Sequence, residues 1–516
     1  MKKKILIIPL DERPCNYEYQ ALMAKDTDLE VILPPKGILA DKKNPGDPEH
    51  IFSWLKNNAE GCAGVIVSID ALVYSSILAS RLHNEELNTL KTRLLHLREF
   101  KKEYPDIPLY AFSLVMRNPR YSSSDEEPDY YADWGREIHR YGYIGHKKEL
   151  GIADSAECAE YDGIVSRLPR KYLDDYLERR EKNIEINNLA VDLAAEGTID
   201  FLIIPQDDSS PYGLTAKDQQ TVRRHILETK TQLTVYMYPD ADAVENTLLA
   251  RMANKLAKRR PLIYVKYASA AGDIVTPPYE DRIVSETIKY QVLAAGGLVA
   301  SCVLEADLIL MVNTPGGDPI EHDTQNPLPS RIEYDANRNQ IEQIEYAAYA
   351  MEVLKKPVCF GDNAYGNGGD PELLALLREK GLLWNIAGYA GWNTSSNTLG
   401  TVIPMAMLYL LYGARKGHTD FLAARYVEDI GYMAFVRREI CVNELEARGL
   451  DYFNVDGEYG EIAASVKRRL QRFADERLSD NMHRVIVDDC RMPWRRMFEV
   501  GIRVHVEEGS EAVVTE

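Results

Sequence analysis

The stretch that decides the fold runs from Leu382 to Gly400 and reads LLWNIAGYAGWNTSSNTLG. It begins with apolar residues that favour a strand, changes abruptly to small and amide residues, and leads into an apolar run beginning at Thr401. In α/β folds ligands bind where strands end and helices begin, because side chains point into a crevice there and helix starts offer free N–H groups. The segment therefore predicts a βα unit with a polar strand end. The alternative is an ordinary turn in which Asn and Ser cap the helix.

The same pattern of short apolar runs separated by helical segments covers most of the chain. Continuous apolar runs are typical of parallel strands covered on both faces, and strands alternating with helices predict an α/β fold. Helices are predicted at Glu85–Lys102, at Lys171–Glu196 with Gly197 as its stop, at Phe421–Ala447 and at Glu461–Leu478. The strand candidates are Ile5–Pro9, Leu29–Leu33, Gly64–Ile69, Pro108–Val115, Phe201–Pro205, Leu233–Tyr238, Leu262–Tyr267, Leu308–Asn313, Pro357–Gly361 and Leu382–Gly388.

The length of 516 residues is too great for one ordinary core, so more than one domain is expected. We predict an α/β domain over residues 1–260, a second α/β domain over 261–415, and a mainly helical C-terminal region with a final strand over 416–516. Each α/β domain would be a doubly wound parallel sheet with helices on both faces, and the two would face one cleft. A decorated (β/α)8 barrel is the alternative. The segment Asn118–Ala153 has no clean period and is a candidate lid.

The charge and the cysteines limit the possible partners and the compartment. A formal net charge of −19 and a pI near 5.1 argue against binding to nucleic acid or to an anionic membrane surface. No stretch approaches the length of a membrane span. The seven cysteines are scattered and form no CxxC pair, which is typical of a reducing compartment. We therefore expect a cytoplasmic protein without nucleic-acid or membrane partners, and a homo-oligomer is compatible with the sequence.

Polar side chains follow most of the predicted strands. The carboxyl ends of parallel strands lie at one edge of a sheet, so we expect these side chains to share a crevice. Carboxylates and amides bind hydroxyl groups and aromatic rings cover C–H surface, which predicts a pocket for a hydroxyl-rich ligand such as a sugar. The strand-end residues are Asp11, Arg13, Asp70, Arg81, Asp207, Asp208, Asp242, Asp362, Asn363, Asn367, Asp370, Trp392, Asn393 and Asn397.

The adjacent acids Asp207 and Asp208 are the most informative of these clusters. Two neighbouring carboxylates after a buried strand repel one another, so they need solvent, a cation, a shared proton or a raised pKa. Adjacent side chains usually diverge, and we expect one acid to face the pocket and the other to cap a helix. Any single cluster can also be explained as a set of caps and turns.

Other chemistries find little support in the sequence. The ten histidines form no HxH or HExxH pair, so a histidine-bound zinc site is not expected. There is no GxSxG elbow and no P-loop. His139 and His146 fall in the candidate lid and are expected on the surface. Cys15 follows a strand end, but no histidine partner can be assigned to it as a nucleophile.

Five short motifs stand out along the chain: P-L-D-x-R-P at Pro9–Pro14, S-R at Ser80–Arg81, Q-D-D-x-x-x-Y-G at Gln206–Gly213, N-G-x-D at Asn367–Asp370 and Y-A-G-W-N-T-x-x-N-x-L-G at Tyr389–Gly400. Together they resemble the pattern of the bacterial domain-of-unknown-function family DUF4127. That pattern has glycines where this chain has Ser75 and Ser76, and a Glu where it has Ala243. The resemblance implies a bacterial protein with one shared polar pocket and does not imply a particular reaction.

The expected function is that of a carbohydrate-active hydrolase, most simply a glycosidase acting on a small sugar, an amino sugar or an oligosaccharide. Glycoside hydrolysis needs one carboxyl group as acid and a second as nucleophile or base. We expect Asp207 or Asp208 in one role and Asp362 in the other. The expected binding shell is Asp11, Arg13, Asp70, Arg81, Asp242, Asn363, Asn367, Asp370, Trp392, Asn393 and Asn397.

Two alternatives remain at this stage. No cofactor is expected, but a divalent cation held by Asp11, Asp208 and Asp362 would give a metal-dependent hydrolase. A non-catalytic sugar-binding protein that closes two lobes on its ligand would use the same residue types, and it would show ligand-dependent stabilisation without turnover.

Overall fold

The computed structural model describes residues 2–322 and 336–509. By its contacts the chain divides into two compact units. The first unit comprises Met1–Glu12, Glu30–Glu245 and Tyr279–Arg282, and the second comprises Arg13–Leu29, Asn246–Pro278 and Ile283–Glu516. The boundaries near residues 260 and 415 that the sequence suggests for three regions stay a prediction.

The first unit is built on a six-stranded sheet of the kind the sequence predicts. Its strand order is β2-β1-β3-β4-β5-β6, and the pairs from β1 through β3, β4 and β5 to β6 are parallel. Every residue of β3, β4 and β5 is buried, which explains why these strands are continuous apolar runs without alternation. The strands are β1 Lys3–Ile8, β2 Leu29–Ile32, β3 Gly64–Ser68, β4 Leu109–Phe112, β5 Phe201–Gln206 and β6 Val235–Pro239.

Helices connect and flank these strands. The longest, Arg170–Ala195, has 26 residues, and Gly197 follows it at a φ of +82° that favours glycine. The others are Pro48–Asn58, Ile69–Tyr74, Ile77–Leu82, Leu87–Glu103, Tyr131–Glu149, Ser155–Arg167 and Leu214–Glu228, with a 3-10 turn at Lys36–Ile38.

The second unit contains a five-stranded parallel sheet with the order β13-β11-β9-β7-β8. A short parallel pair, β10 with β12, and an antiparallel hairpin, β14 with β15, complete its strands. The strands are β7 Leu262–Tyr267, β8 Leu298–Val299, β9 Leu308–Val312, β10 Ile320–Glu321, β11 Val358–Gly361, β12 Tyr365–Gly366, β13 Gly388–Ala390, β14 His483–Arg491 and β15 Gly501–Glu508.

The C-terminal region is mainly helical, as the sequence predicts. A continuous helical run from Lys416 to Arg448 includes two segments of π-helix, Tyr426–Val436 and Cys441–Leu445. The other helices of this unit are Pro14–Tyr17, Tyr19–Ala24, Val284–Ala294, Gln340–Glu352, Pro371–Glu379, Ser395–Tyr412 and Glu461–Arg477, together with most of Val244–Ala257; Pro493–Arg495 forms a 3-10 turn.

One local prediction is wrong. The apolar run Leu382–Ala387 is not a strand, because the Leu382 N–H bonds back to Leu377 O at 2.9 Å and the run continues a helix end before β13 starts at Gly388. The segment Asn118–Ala153 contains the 19-residue helix Tyr131–Glu149, whose Tyr131 and Ile138 are buried in a hydrophobic cluster of the first unit, and its role as a lid stays a prediction. Among the described residues no helix has the length and apolarity that a membrane crossing requires.

The first sheet makes a direct stability prediction. Leu202 in β5 is fully buried, so Leu202→Ala removes apolar contacts and leaves a cavity. It should lower the free energy of unfolding by about 2–5 kcal/mol in a urea titration. Leu233 precedes β6 and is 86 % exposed, so Leu233→Ala is the matched control. Its effect should stay within about 0.5 kcal/mol, and equal losses in the two variants would contradict the burial pattern.

Candidate functional site

The strongest polar cluster lies where β5 ends in the first unit. Gln206 is the last residue of β5, and Asp207 and Asp208 follow it. Asp208 has a left-handed φ of +42°, which turns the chain sharply between the two acids. The Asp207 carboxylate accepts a hydrogen bond from Arg81 at 2.5 Å, whereas Asp208 accepts one from Arg117 at 3.1 Å. The two side chains therefore diverge as expected, but Asp207 binds an arginine instead of capping a helix.

Two buried arginines connect these acids to a loop before the helix Tyr131–Glu149. Arg81 and Arg117 each donate to the same oxygen of Glu126, both at 2.8 Å. Arg117 also donates through Nε to Glu127 at 2.8 Å, and Arg81 lies 3.6 Å from that carboxylate. Each guanidinium is thus shared by three carboxylates, which is the arrangement that a planar group with five donors allows.

Two carboxyl groups at this edge of the sheet, those of Asp208 and Asp70, have raised pKa values. Burial and the neighbouring Asp207 raise the pKa of Asp208 to about 6, although Arg117 and Arg81 oppose the rise. Burial raises the pKa of Asp70 to about 7, against hydrogen bonds from the Leu114 N–H and from Ser80. Asp70 lies in the helix that follows β3, and its Oδ2 accepts the Leu114 N–H at 2.9 Å. Both acids can therefore hold a proton close to neutral pH.

A cavity of about 140 Å³ opens beside Asp208. Its walls combine carboxyl, amide, hydroxyl and aromatic groups, and all of them belong to the first unit. Asp208 is the strand-end acid that reaches it, with a side chain 23 % exposed. The lining residues are Asn118, Pro119, Arg120, Tyr121, His139, Asp208, Ser209, Ser210, Tyr212, Gly213, Leu214, Thr215, Tyr279 and Glu280.

The two histidines of the predicted lid are not ordinary surface residues. His139 lines the cavity, and its Nδ1 lies 2.9 Å from the backbone oxygen of Asn118. Because that oxygen can only accept, Nδ1 carries the proton and Nε2 is an acceptor. Burial lowers the pKa of His139, so the ring is neutral at neutral pH. His146 is buried, and its Nδ1 accepts the Gly213 N–H at 3.3 Å, so its expected surface position is wrong.

Asp11 and Asp242 lie near a third acid at the ends of β1 and β6. Both are buried, and both raise the pKa of Glu245, which burial already holds well above its ordinary value. Glu245 follows the sixth strand, and its Oε1 accepts the Leu10 N–H at 2.8 Å. The group is compact and buried, and it does not line the cavity beside Asp208.

In the second unit both carboxylate oxygens of Asp362 accept hydrogen bonds. Its Oδ2 accepts the Asp370 N–H at 2.6 Å and the Tyr389 hydroxyl at 2.7 Å, and its Oδ1 accepts the Asn313 amide at 2.8 Å. Asp370 caps the helix Pro371–Glu379 and lies 2.9 Å from the Arg338 guanidinium. Burial and Asp370 raise the pKa of Asp362 to about 6.

The remaining predicted residues of the second unit form hydrogen bonds or ion pairs with other residues of that unit. Trp392 is buried, its indole N–H donates to Thr401 Oγ1 at 3.0 Å, and its ring packs edge-on against Tyr19. Asn393 donates to Asn397 at 2.8 Å. Asn363 donates to Ser395 Oγ at 2.6 Å, Asn367 donates to Glu321 at 3.1 Å, and Arg13 lies 3.5 Å from Glu499.

The structure thus brings together part of the predicted set. Asp70, Arg81, Asp207 and Asp208 form one cluster in the first unit, and Asp362 and Asp370 form another in the second. The pairing of Asp207 or Asp208 with Asp362 as two catalytic acids stays a prediction. Within residues 2–322 and 336–509, no three His, Cys, Asp or Glu side chains are grouped closely enough to hold a metal ion.

Some residues of the first cluster and its cavity were not predicted from the sequence, and they include Arg117, Glu126, Glu127, His139 and Glu280. Arg117 follows the predicted strand Pro108–Val115 by two residues, whereas the other four lie on loops or helices away from the predicted strand ends. The pair of acids Glu126-Glu127 close after Arg117, in a segment without periodicity, is a signal that could have pointed to these three residues.

Comparison with known proteins identifies the family of the chain but does not indicate an activity. The sequence pattern of a family described as "Protein of unknown function (DUF4127)" matches residues 5–503. No curated protein matches the chain.

Asp70 makes the stability of the protein depend on pH. Its pKa is raised from an ordinary value of 3.8 to about 7, so the folded state binds more protons than the unfolded state between those values. The stability that this group contributes is complete below about pH 4 and is lost as the pH rises through about 7. Asp70→Asn stays neutral and can accept the same Leu114 N–H. It should therefore be more stable than the wild type near pH 8, by at least about 1 kcal/mol.

Urea titrations at several pH values measure this difference. The advantage of Asp70→Asn should disappear at acidic pH, and the exposed Asp106→Asn should reproduce the wild-type profile throughout. A variant that is less stable than the wild type at every pH would mean that the Asp70 carboxyl is ionised and needed as an anion in the folded state.

Proposed function

Because the chain belongs to the DUF4127 family, whose members are described only as proteins of unknown function, we propose its activity from the chemistry of the cavity. The proposed function is that of a carbohydrate-active hydrolase, most simply a glycosidase acting on a small sugar or on the end of an oligosaccharide. The observation that carries the proposal is the Asp208 carboxyl, which reaches a polar, aromatic-lined cavity and has a pKa raised to about 6.

Asp208 is the proposed general acid. A general acid must hold a proton at the working pH and release it to the leaving oxygen, which favours a carboxyl group with a raised pKa. Burial and the charge of Asp207 supply that rise, and Arg117 limits it. The hydrogen bond from Arg117 at 3.1 Å also fixes the direction of the side chain. Asp208 can therefore change its protonation state without leaving its position.

Glu280 is the proposed second carboxyl group. Glycoside hydrolysis needs a nucleophile or base opposite the acid, and Glu280 is the other acidic residue that lines this cavity. It is buried, with 4 % of its surface exposed. In this proposal Asp207 takes no part in the reaction and instead holds Arg81 in place through its 2.5 Å hydrogen bond.

The cavity walls suit a small sugar. Tyr121, Tyr212 and Tyr279 offer ring faces that can cover the C–H surface of a pyranose, and Ser209 and Ser210 offer hydroxyl groups. The neutral His139 offers an acceptor through Nε2. A volume of about 140 Å³ fits a single sugar ring better than a long chain, so the proposed substrate binds by one terminal residue.

Asp208→Asn tests the proposal directly. The amide keeps the shape of the side chain and cannot donate a proton as an acid, so kcat should fall by about 10²–10⁴ on whichever glycoside the wild type hydrolyses. A panel of chromogenic glycosides and natural oligosaccharides measures the activity. Since the protonated form is the active one, kcat/KM should be highest below about pH 6 and should decline as the pH rises through this value.

Two further variants complete the test. Glu280→Gln should reduce kcat by a similar factor, whereas the exposed Asp133→Asn on the helix Tyr131–Glu149 should leave it unchanged. Absence of turnover on the whole panel, or full activity in Asp208→Asn, would reject the hydrolase. Sugar binding without turnover would leave the non-catalytic sugar-binding protein as the better description.

Removal of metal ions separates the proposal from the metal-dependent alternative. The proposed reaction uses two carboxyl groups of the chain, so treatment with a chelator should leave kcat unchanged. Loss of activity that is restored by Mg²⁺, Mn²⁺ or Ca²⁺ would favour a metal-dependent hydrolase instead.

A further inference from the structure

The cluster behind the cavity has more acids than cations. The described partners of Asp207, Asp208 and Glu127 are two guanidinium groups, those of Arg81 and Arg117. Both guanidiniums are also shared with Glu126. Three carboxylates on two cations leave at least one negative charge in a largely buried place. Such a charge must be neutralised by a proton, by a cation of the ligand or by solvent.

Asn118 adds partial negative charge at the same cavity. It is 7 % exposed, and its amide Nδ2 faces the hydroxyl oxygens of Tyr131 and Tyr176 at 3.0 and 3.4 Å. These hydroxyls donate to Pro119 O and Arg117 O, so their lone pairs face the Asn118 NH₂ group and fix its orientation. The Asn118 Oδ1 finds no donor among the described residues. The negative end of the amide dipole is therefore left without a partner.

The aromatic wall of the cavity already holds one cation. The guanidinium of Arg120 lies over the ring of Tyr279, 5.3 Å from its centre, and both residues line the cavity. Arg120 is exposed, so its side chain can move aside when a ligand enters. A ring face that attracts a guanidinium also attracts an ammonium group, because both interact with the negative face of the ring.

We propose that the ligand of this cavity carries an ammonium group, so that the substrate class is an amino sugar or an oligosaccharide of amino sugars. The surplus carboxylate, the unpaired Asn118 oxygen, the acceptor nitrogen of His139 and the face of Tyr279 all favour a positively charged donor. The inference rests on the proposed function for turnover, but it predicts binding whether or not the ligand is hydrolysed.

Binding of three matched sugars tests the charge preference. Glucosamine, glucose and glucuronate present an ammonium group, a hydroxyl group and a carboxylate on the same ring, and calorimetry gives the dissociation constant of each. The wild type should bind glucosamine at least about tenfold more tightly than glucose, as expected for a charge partner near a protein surface. Glucuronate should bind more weakly than glucose.

Variants of the cavity locate the preference. Near pH 7, above the pKa of Asp208, the advantage of glucosamine over glucose should fall below about threefold in Asp208→Asn and separately in Glu280→Gln, because each change removes a carboxyl group from the cavity wall. The exposed Asp133→Asn should keep the full advantage, and melting temperatures confirm that each variant is folded. Equal affinity for glucosamine and glucose, an unchanged preference in both cavity variants, or no binding of any of the three sugars would overturn the inference.

The pH profile gives an independent readout where turnover is found. The groups that face Asp208 are Asp207, Arg81, Arg117 and Glu126, and Arg120, His139 and Glu280 line the same cavity. A bound ammonium group stabilises the Asp208 carboxylate, so the alkaline limb of kcat should lie at lower pH than that of kcat/KM. For a neutral glycoside the two limbs should coincide.

The two hypotheses can fail separately. Hydrolysis of neutral glycosides that depends on Asp208, without a preference for glucosamine, would reject the amino sugar and keep the hydrolase. Binding of glucosamine that depends on Asp208, without turnover of any glycoside, would reject the hydrolase and keep the preference for a cation.

Discussion

The first unit depends on the sharing of two guanidinium groups, those of Arg81 and Arg117, among four carboxylates. Two of these carboxylates follow the buried strand β5, and the other two lie in the loop before the helix Tyr131–Glu149. A buried carboxylate is costly unless a cation and hydrogen bonds compensate it. Arg81 binds Asp207, Arg117 binds Asp208, and Glu126 joins the two arginines through one oxygen. These contacts hold the loop before the helix Tyr131–Glu149 against the end of β5. These ion pairs therefore lie directly beside the cavity that Asp208 lines.

Buried acids of the second unit are compensated in a similar way. Arg425 binds both Glu428 and Asp429, and the Asp429 carboxylate also accepts the Gly391 N–H at 2.8 Å. Burial raises the pKa of Asp429 to about 8, and a π-helix carries the residue. Asp362 is likewise saturated by hydrogen bonds. These acids connect strand ends to neighbouring helices, and their hydrogen bonds compensate their burial.

The sequence predicts the parallel sheets well because strands buried on both faces must be apolar at successive residues, as in Gly64–Ser68 and Phe201–Gln206. It also identifies Asp207 and Asp208, since adjacent acids after such a strand are chemically conspicuous. It fails at Leu382–Ala387, where an equally apolar run is a turn, because backbone hydrogen bonds and not composition decide between the two. Glu280 and His139 could not be predicted, since loops and helices distant in sequence bring them to the cavity.

The backbone at Asp208 links the ion pairs to the proposed chemistry. A φ of +42° is unusual for a residue with a side chain, and such strain persists only where the surroundings impose it. The imposed turn directs Asp208 toward the cavity, while Asp207 remains on Arg81. Both carboxylates face an arginine, but Arg81 approaches Asp207 to 2.5 Å and Arg117 approaches Asp208 only to 3.1 Å. Burial and the charge of Asp207 raise the pKa of Asp208 to about 6 against the effect of Arg117. The strained turn therefore places at the cavity the acid that has the longer contact with its arginine and that can hold a proton.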